Sequence, residues 1–401
     1  MARRVFITAA EVSGDKHAAQ LIRSLRQLDP EIIVEGFGGP EMAAAGAIIH
    51  RETVSKAAMG LRGILRAFEI RDALKWTKAY FDSNRPDLQI GVDSPSMNFH
   101  FASVARERGI PVLQYVAPQL WAWAPWRMKK VRRRVDRLAC VLPFEEQYFK
   151  EHGVNAEFVG HPLFDELPAE RSSQTIHTEP LVNPVVGILP GSRTSEASKN
   201  LPHLLDVARR IFLTIPGTTF LTPTTAATDG VVRSIVSEAR ATHPRPALPI
   251  EIEQNRFDEM VPRCDLCITV SGTATLHVAT FGVPMIVVYR TNPAVWNLGG
   301  RLLIRTRTFA LVNVLARRLP GGEEAGNVVP EFVPWYGSNE PVANAAIDLL
   351  NSRDKLNEQK KRLAELIASL DKPGASLRTA RMAIDMMNGA SPSKASANAG
   401  S

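Results

Sequence analysis

Apolar positions along this chain follow two different spacings. Short uninterrupted apolar runs (RVFITA, IIVEGFGG, DLQIGVD, PVLQYV, LACVLP, AEFVG) are separated by segments such as KHAAQLIRSLRQL, FHFASVARERG and FEEQYFKEHG, whose apolar residues recur every third or fourth position. Uninterrupted runs mark strands buried on both faces, and the intervening period marks helical crossovers, so the series predicts a parallel sheet. A polar, proline-rich stretch, HPLFDELPAERSSQTIHTEPLVNP, breaks the pattern. A second series then follows: PVVGILPGS, TTFLTP, LCITVSG and PMIVVYR, alternating with LPHLLDVARRIFLTI, GVVRSIVSEAR and TATLHVATFG.

The pattern predicts an α/β protein of two doubly wound units, with a domain over 1–165 and a second over 166–388 that carries the terminal helices. Among the latter, LNEQKKRLAELIASL is clearly amphipathic. The tail 389–401 lacks an apolar pattern and is expected to be disordered. In GLRGILRAFEIRDALKWTKAYF, Leu61, Ile64, Leu65, Phe68 and Leu74 fall along one side. That spacing reads as core packing, with an apolar groove for an acyl chain as the alternative.

Composition narrows the class. A length of 401 residues exceeds what one core usually supports, and 45% hydrophobic residues exclude a disordered chain. The net charge of +7 favours an anionic partner. Three cysteines make no disulfide framework, which points to a reducing cytosol. Cys264 and Cys267 form a C-x-x-C pair without further ligands nearby, so they read as structural rather than as a metal or redox site. No run reaches the ~20 apolar residues that span a bilayer.

In open α/β sheets, ligands gather where strand ends meet helix starts. In the second half, GILPGSRTSE places Gly191, Ser192 and Arg193 there, and ITVSGTATLHVATFG places Ser271, Gly272, Thr273 and Ala274. Together they suit a phosphate pocket built from backbone N–H groups, a helix dipole and a guanidinium. Singly they read as turns and caps. Neither is a Walker A loop or G-x-G-x-x-G, which counts against ATP hydrolysis and plain dinucleotide binding. In the first half, AAEVSGDKH places Glu11, Ser13, Gly14 and Asp15 at a loop-to-helix junction after a strand, and GVDSPSMN places Asp93 at the end of another. An acid there suits proton abstraction from a hydroxyl, with turn capping as the alternative for Asp93; Asp15 reads as the cap of its own helix.

Jointly, the motifs AEVSGDKHA, GFGGPEMAAAG, GVDSPSMNF, YVAPQLWAWAPWRMKKVRRRVDRLACVLPFE, FVGHPL, ILPGSR, SGTATL, PMIVVYR and VVPEF resemble the lipid-A-disaccharide synthase family over residues 4–385. The resemblance implies a GT-B fold, two Rossmann-like domains facing a cleft. It also implies an inverting transfer of diacylglucosamine from its UDP form to diacylglucosamine 1-phosphate, releasing UDP without cofactor or metal. Carried over by position, Asp93 or Glu11 is the general base. Gly191, Ser192, Arg193 and Ser271 to Ala274 hold the donor diphosphate, and Asn313 lies at the sugar site. His277 stands where the family's T-L-E pattern has a glutamate expected on the donor ribose. The connection LARRLPGGEEAGNVVPEF is longer than the family's. Alternatives are a UDP-sugar epimerase on the same fold and a non-enzymatic lipid- or nucleic-acid-binding protein.

The stretch WAWAPWRMKKVRRRVDR brings Trp121, Trp123 and Trp126 next to Arg127, Lys129, Lys130, Arg132, Arg133 and Arg134. Aromatics beside cations suit an anionic membrane surface. No nucleic-acid module accompanies the run, so nucleic acid is not expected as a partner. A solvated basic helix is the plainer reading. The expectation is a cytoplasmic enzyme, peripheral on the inner membrane, with homodimerisation left open.

Overall fold

The computed structural model describes residues 2–53, 63–166, 179, 181–242, 247–291, 308–318 and 326–389, with the backbone alone for 63–68 and Thr273. The chain divides into two compact units, Met1–Glu166 with Leu370–Ser401, and Leu167–Ser369.

The first unit runs β1 (Arg4–Ala9), α1 (Val12–Leu28), β2 (Ile33–Gly38), α2 (Pro40–Ala44), β3 (Ile48–Glu52), α3 (Gly63–Ser83), β4 (Leu88–Val92) and α4 (Pro95–Arg106). It continues through β5 (Val112–Tyr115), a 3-10 turn at Pro125–Arg127, α5 (Met128–Arg134), β6 (Arg137–Cys140), α6 (Pro143–Glu151), β7 (Ala156–Phe158) and α7 (Leu163–Glu166). Its seven strands lie in the order β3-β2-β1-β4-β5-β6-β7, and every pairing is parallel. β4, LQIGV, is buried at every position, as a strand covered by helices on both faces must be. α1 turns Ala18, Leu21, Ile22 and Leu25 inward and leaves its polar side to solvent.

The second unit runs β8 (Val185–Leu189), α8 (Thr194–Thr214), β9 (Thr219–Thr224), α9 (Asp229–Thr242), β10 (Ile250–Gln254), α10 (Phe257–Met260), β11 (Leu266–Val270) and α11 (Thr273–Thr280). Then follow β12 (Met285–Arg290), α12 (Leu311–Ala316), β13 (Glu331–Trp335), α13 (Glu340–Leu350) and α14 (Arg353–Leu370). The sheet order is β10-β9-β8-β11-β12-β13, again parallel. Cys264 and Cys267 are buried free thiols against Gly187 of β8. Their mutual hydrogen bond, then burial, holds Cys267 well above the ordinary thiol pKa.

The last helix, α15 (Ala375–Met387), corrects the expectation that all terminal helices belong with 166–388: it packs on α1 in the first unit. The Asp165 carboxylate fixes it there, accepting the N–H groups of Gly374, Ala375 and Ser376 at 2.6, 3.0 and 2.8 Å. A carboxylate satisfies orphan donors at a helix start and meets the positive end of its dipole. At the other end, Arg3 Nη2 donates to Asn388 Oδ1 at 2.6 Å. Leu74 packs on the first core. Leu61, the side chains of Ile64, Leu65 and Phe68, the 319–325 part of the long connection and the tail from 390 lie outside the described residues.

Candidate active site

In the first sheet the chain steps from β1 outward to β2 and β3, then returns to lay β4 on the other side of β1. The loops leaving β1 and β4 therefore diverge and open a crevice at the carboxyl ends of the strands, where such folds bind ligands. The two ends are level, with Ala9 paired to Val92. Glu11 and Asp93 are both placed at this point by the register alone.

Asp93 and Ser94 carry φ of 53° and 35°, two successive left-handed residues without a glycine. Each costs on the order of 1–3 kcal/mol and persists only where its surroundings hold it. Here Asn98 Nδ2 donates to the carbonyls of Val92 at 3.0 Å and Asp93 at 2.6 Å. Gln114 Nε2 adds a bond to the Asp93 carbonyl at 3.2 Å, and Asp93 N–H donates to Tyr115 O at 3.0 Å. Asn98 is itself fixed by Thr8 Oγ1, which donates to its Oδ1 at 2.9 Å. The half-exposed carboxylate accepts Ser94 N–H on Oδ1 at 2.8 Å and Ser13 Oγ–H on Oδ2 at 3.0 Å. Turn formation and an accessible carboxylate thus coexist at one residue.

Gly14 explains the close approach of α1: a Cβ there would stand 3.3 Å from Val92 O and 3.5 Å from Asp93 Cβ. His17 follows Ser13 by four residues on the same face. Burial first, and Lys16 next among the lowering effects, hold its imidazole below the ordinary pKa, while Asp93 and Asp165 pull it back up. Glu11 is half-buried at the N-cap of α1 and makes no capping bond to that helix. Asp15 overturns the expectation that it caps its own helix. It is buried and accepts the N–H groups of Gly39, Glu41 and Met42 at 2.8, 3.0 and 3.2 Å, capping α2 instead. Ser13 and Gly14 stand at the junction the sequence marks, whereas His17 and Asn98 are not singled out by it; the i, i+4 spacing from Ser13 is the signal that could have found His17.

The second sheet has the same device between β8 and β11, which pair with Thr269 opposite Leu189. Gly191, Ser192 and Arg193 leave β8, and Ser271, Gly272, Thr273 and Ala274 leave β11. Two helix starts, those of α8 and α11, therefore rise from adjacent strand ends, each with a positive dipole end suited to an anion. Gly191 has φ 116°, and a Cβ there would come 2.8 Å from Glu196 Cβ, so the turn admits only glycine without rearrangement. Arg193 is exposed, with Nη1 2.8 Å from Glu196 Oε1. Ser271 Oγ donates to Phe309 O at 2.9 Å.

Asn313 departs from its expected place at the sugar. It is fully buried; its Nδ2 donates to Val329 O at 3.0 Å and Glu331 Oε2 at 2.9 Å, and its Oδ1 accepts Val328 and Val329 N–H at 2.9 and 3.0 Å. Two donors and two lone pairs are the whole capacity of an amide, so this side chain ties α12 to β13 and offers nothing to a ligand. His277 is half-buried on α11, stacked between Phe257 and Phe281, with Nε2 2.9 Å from Asp258 Oδ1.

The tryptophan–cation stretch splits. Trp123 and Trp126 are 44% and 62% exposed, and Arg127 lies over the Trp123 ring at 4.9 Å. Lys129, Lys130, Arg132 and Arg133 are exposed on α5. Trp121 and Arg134 leave the expected surface. Trp121 Nε1 donates to Glu145 Oε1 at 3.0 Å with its ring edge-on to Phe144, and Arg134 Nη1 donates to Phe99 O at 3.1 Å. Among the described residues, no helix is long and apolar enough to cross a membrane, and no cluster of three His, Cys, Asp or Glu side chains could hold a metal ion.

The family model described as lipid-A-disaccharide synthetase matches residues 5–384. A lipid-A-disaccharide synthase of Trichlorobacter lovleyi is 33% identical over 392 residues, 96% of this chain and 98% of the relative. One from Nitrosococcus oceani is 34% identical over 396 residues, 98% of each. Among solved structures, the UDP co-structure of S. aureus MnaA superposes with a TM-score of 0.63 at 14% identity and covers all of both chains. The calicheamicin glycosyltransferase CalG4 superposes at 0.59 and 14% identity over 98% of this chain and 100% of that one. A putative UDP-N-acetylglucosamine 2-epimerase from Listeria monocytogenes does so at 0.63 and 12% identity, covering 96% of each. These likenesses place the fold in the GT-B class.

Proposed function

The chain belongs to the lipid-A-disaccharide synthetase family and is thereby a glycosyltransferase of lipid A biosynthesis, and from that premise we propose that it joins two acylated glucosamines. The donor is UDP-diacylglucosamine, the acceptor diacylglucosamine 1-phosphate, and the products are the disaccharide 1-phosphate and UDP, with inversion at the transferred carbon. The observation that carries the reading is the coincidence of the candidate groups with the switch points: Asp93 and Glu11 at one, the Gly191–Arg193 and Ser271–Ala274 turns at the other.

In this reading Asp93 takes the proton of the acceptor hydroxyl as it attacks, and Glu11 assists. A general base of this kind contributes ~10²- to 10⁴-fold. The departing diphosphate gathers negative charge, which the N–H groups starting α8 and α11 and the Arg193 guanidinium stabilise with dipoles and charge already in place. These groups fill the role a divalent cation would otherwise take, so turnover is expected to survive EDTA. Trp123, Trp126 and the exposed cations of α5 rest on an anionic membrane face, where the acylated substrates reside.

Purified protein given both substrates should release UDP and disaccharide in equal amounts, and no UDP without the acceptor. A second reading, epimerisation of a UDP-sugar, is favoured by the shared fold of epimerases alone. Conversion of a UDP-sugar to its epimer without acceptor, and no disaccharide with it, would replace the transferase reading.

A further inference from the structure

The second turn of α1 holds a side chain to which the proposed reaction gives no task. Ser13, in the first turn, donates to Asp93 Oδ2 at 3.0 Å, and His17 stands one turn further along the same face. The His17 side chain is 15% exposed, and its Nδ1 is buried without a hydrogen-bond partner, 3.9 Å from Glu166 Oε1 of α7. A buried ring nitrogen left unpaired is costly, and side chains kept in that state mark functional sites.

The charged groups that act on this imidazole come from three places. Asp93 follows β4, Asp165 belongs to α7, and Lys16 to α1 itself; Glu166 of α7 stands beside Nδ1. Asp165 is engaged by the three N–H groups at the start of α15, and Lys16 is exposed, where water and salt screen it. Tyr115, on which Asp165 and Glu166 also act, is held well above the ordinary tyrosine pKa by burial and stays uncharged, as do the Ser376 and Thr379 hydroxyls beside it. Asp93 is therefore the neighbour whose task changes with the charge of His17. Burial, the largest effect on the ring, keeps it neutral to a pH below its ordinary 6.5.

We propose that His17 is a positioning residue for the base, and that protonation of its imidazole is what halts glycosyl transfer as pH falls. The inference rests on the reading of Asp93 as the base. Taking the acceptor proton discharges the Asp93 carboxylate. A neutral imidazole behind the Ser13 contact does not oppose that discharge, whereas an imidazolium stabilises the negative charge and opposes it. The pull of Asp93 on a His17 proton is returned in equal measure, because two interacting groups titrate as a pair. Without His17, transfer would persist until Asp93 itself is protonated, ordinarily at about pH 3.9. With it, the loss falls in the window between that value and the 6.5 of an ordinary histidine.

The test is the pH profile of kcat for the full chain, read as UDP released under saturating amounts of both substrates, from about pH 4 to about pH 9. Wild type should lose activity with a midpoint between about 3.9 and about 6.5. His17→Gln and His17→Asn should move that midpoint down by about one unit or more, and should lower the plateau by less than Asp93→Asn does. Circular dichroism and melting identify the folded variants, and if one of the two does not fold the other decides. The acceptor phosphate also titrates, at about pH 6, but equally for every protein tested, so a difference between profiles belongs to the side chain. A merely structural role would lower the plateau and leave the midpoint in place. A folded His17 variant with the wild-type midpoint therefore overturns the proposal and leaves the base standing. Asp93→Asn turning over at the wild-type rate would instead overturn the base reading and this inference with it.

Discussion

Replacing Asp93 by asparagine removes one negative charge and almost nothing else. Asparagine is among the residues that tolerate a left-handed backbone, so the φ of 53° is retained. Its oxygen still accepts Ser94 N–H at the 2.8 Å position, and its amide can donate to Ser13 Oγ, whose hydroxyl rotates to accept. The Asn98 and Gln114 bonds go to the main-chain carbonyl and are untouched. Exchanging a charged for a neutral acceptor should cost about 1 kcal/mol of stability. Loss of the base should instead lower kcat by about 10²- to 10⁴-fold, or about 2.7–5.5 kcal/mol of transition-state stabilisation. UDP affinity should be unchanged, since the groups assigned to the diphosphate belong to the other unit. UDP release and disaccharide formation under saturating substrates read kcat, and calorimetry reads UDP binding. A folded Asp93→Asn within about threefold of wild-type kcat would refute the assignment, and Glu11→Gln would then be the variant expected to carry the loss.

Three further outcomes follow from the same geometry. Asp165→Ala leaves three N–H groups at the start of α15 without their carboxylate; about 2 kcal/mol should be lost, lowering the first unit's melting transition by about 4–8 °C in calorimetry. His17 has its folded pKa below the ordinary 6.5, so the unfolded chain binds the proton first and stability falls as pH drops below that value. His17→Gln should flatten this limb, and equal slopes for the two proteins between pH 7 and 5 would contradict it. Arg132→Glu with Arg133→Glu should weaken sedimentation with anionic vesicles at low salt about tenfold or more, whereas Arg134→Gln should act mainly on stability through Phe99; unchanged sedimentation of the double variant would remove the membrane face.

The two parallel sheets, the break between them and the loops that could carry chemistry were readable from apolar spacing. Local periodicity reports burial on one face or two, and strand-to-helix junctions are local events. Family motifs added the chemistry. Partner choice was not readable, because it depends on residues far apart in the chain. Asp15 looked like the cap of its own helix and caps α2, because the β1–β2 crossover brings Gly39 and Met42 over it. Asn313 looked like a sugar contact until four hydrogen bonds from β13 and the residues before it used its whole capacity. Trp121 and Arg134 shared a motif with surface residues yet turned inward to Glu145 and Phe99.

Helical amphipathicity likewise states that α15 must bury a face, but not which one it meets. Asp165 and α1 decide that, across more than 200 residues of sequence separation. Composition and period therefore set the fold class and the sites of bends. The pairing of polar groups, which assigns each acid, amide and imidazole either to the scaffold or to a ligand, arises only when the sheets bring distant segments into register.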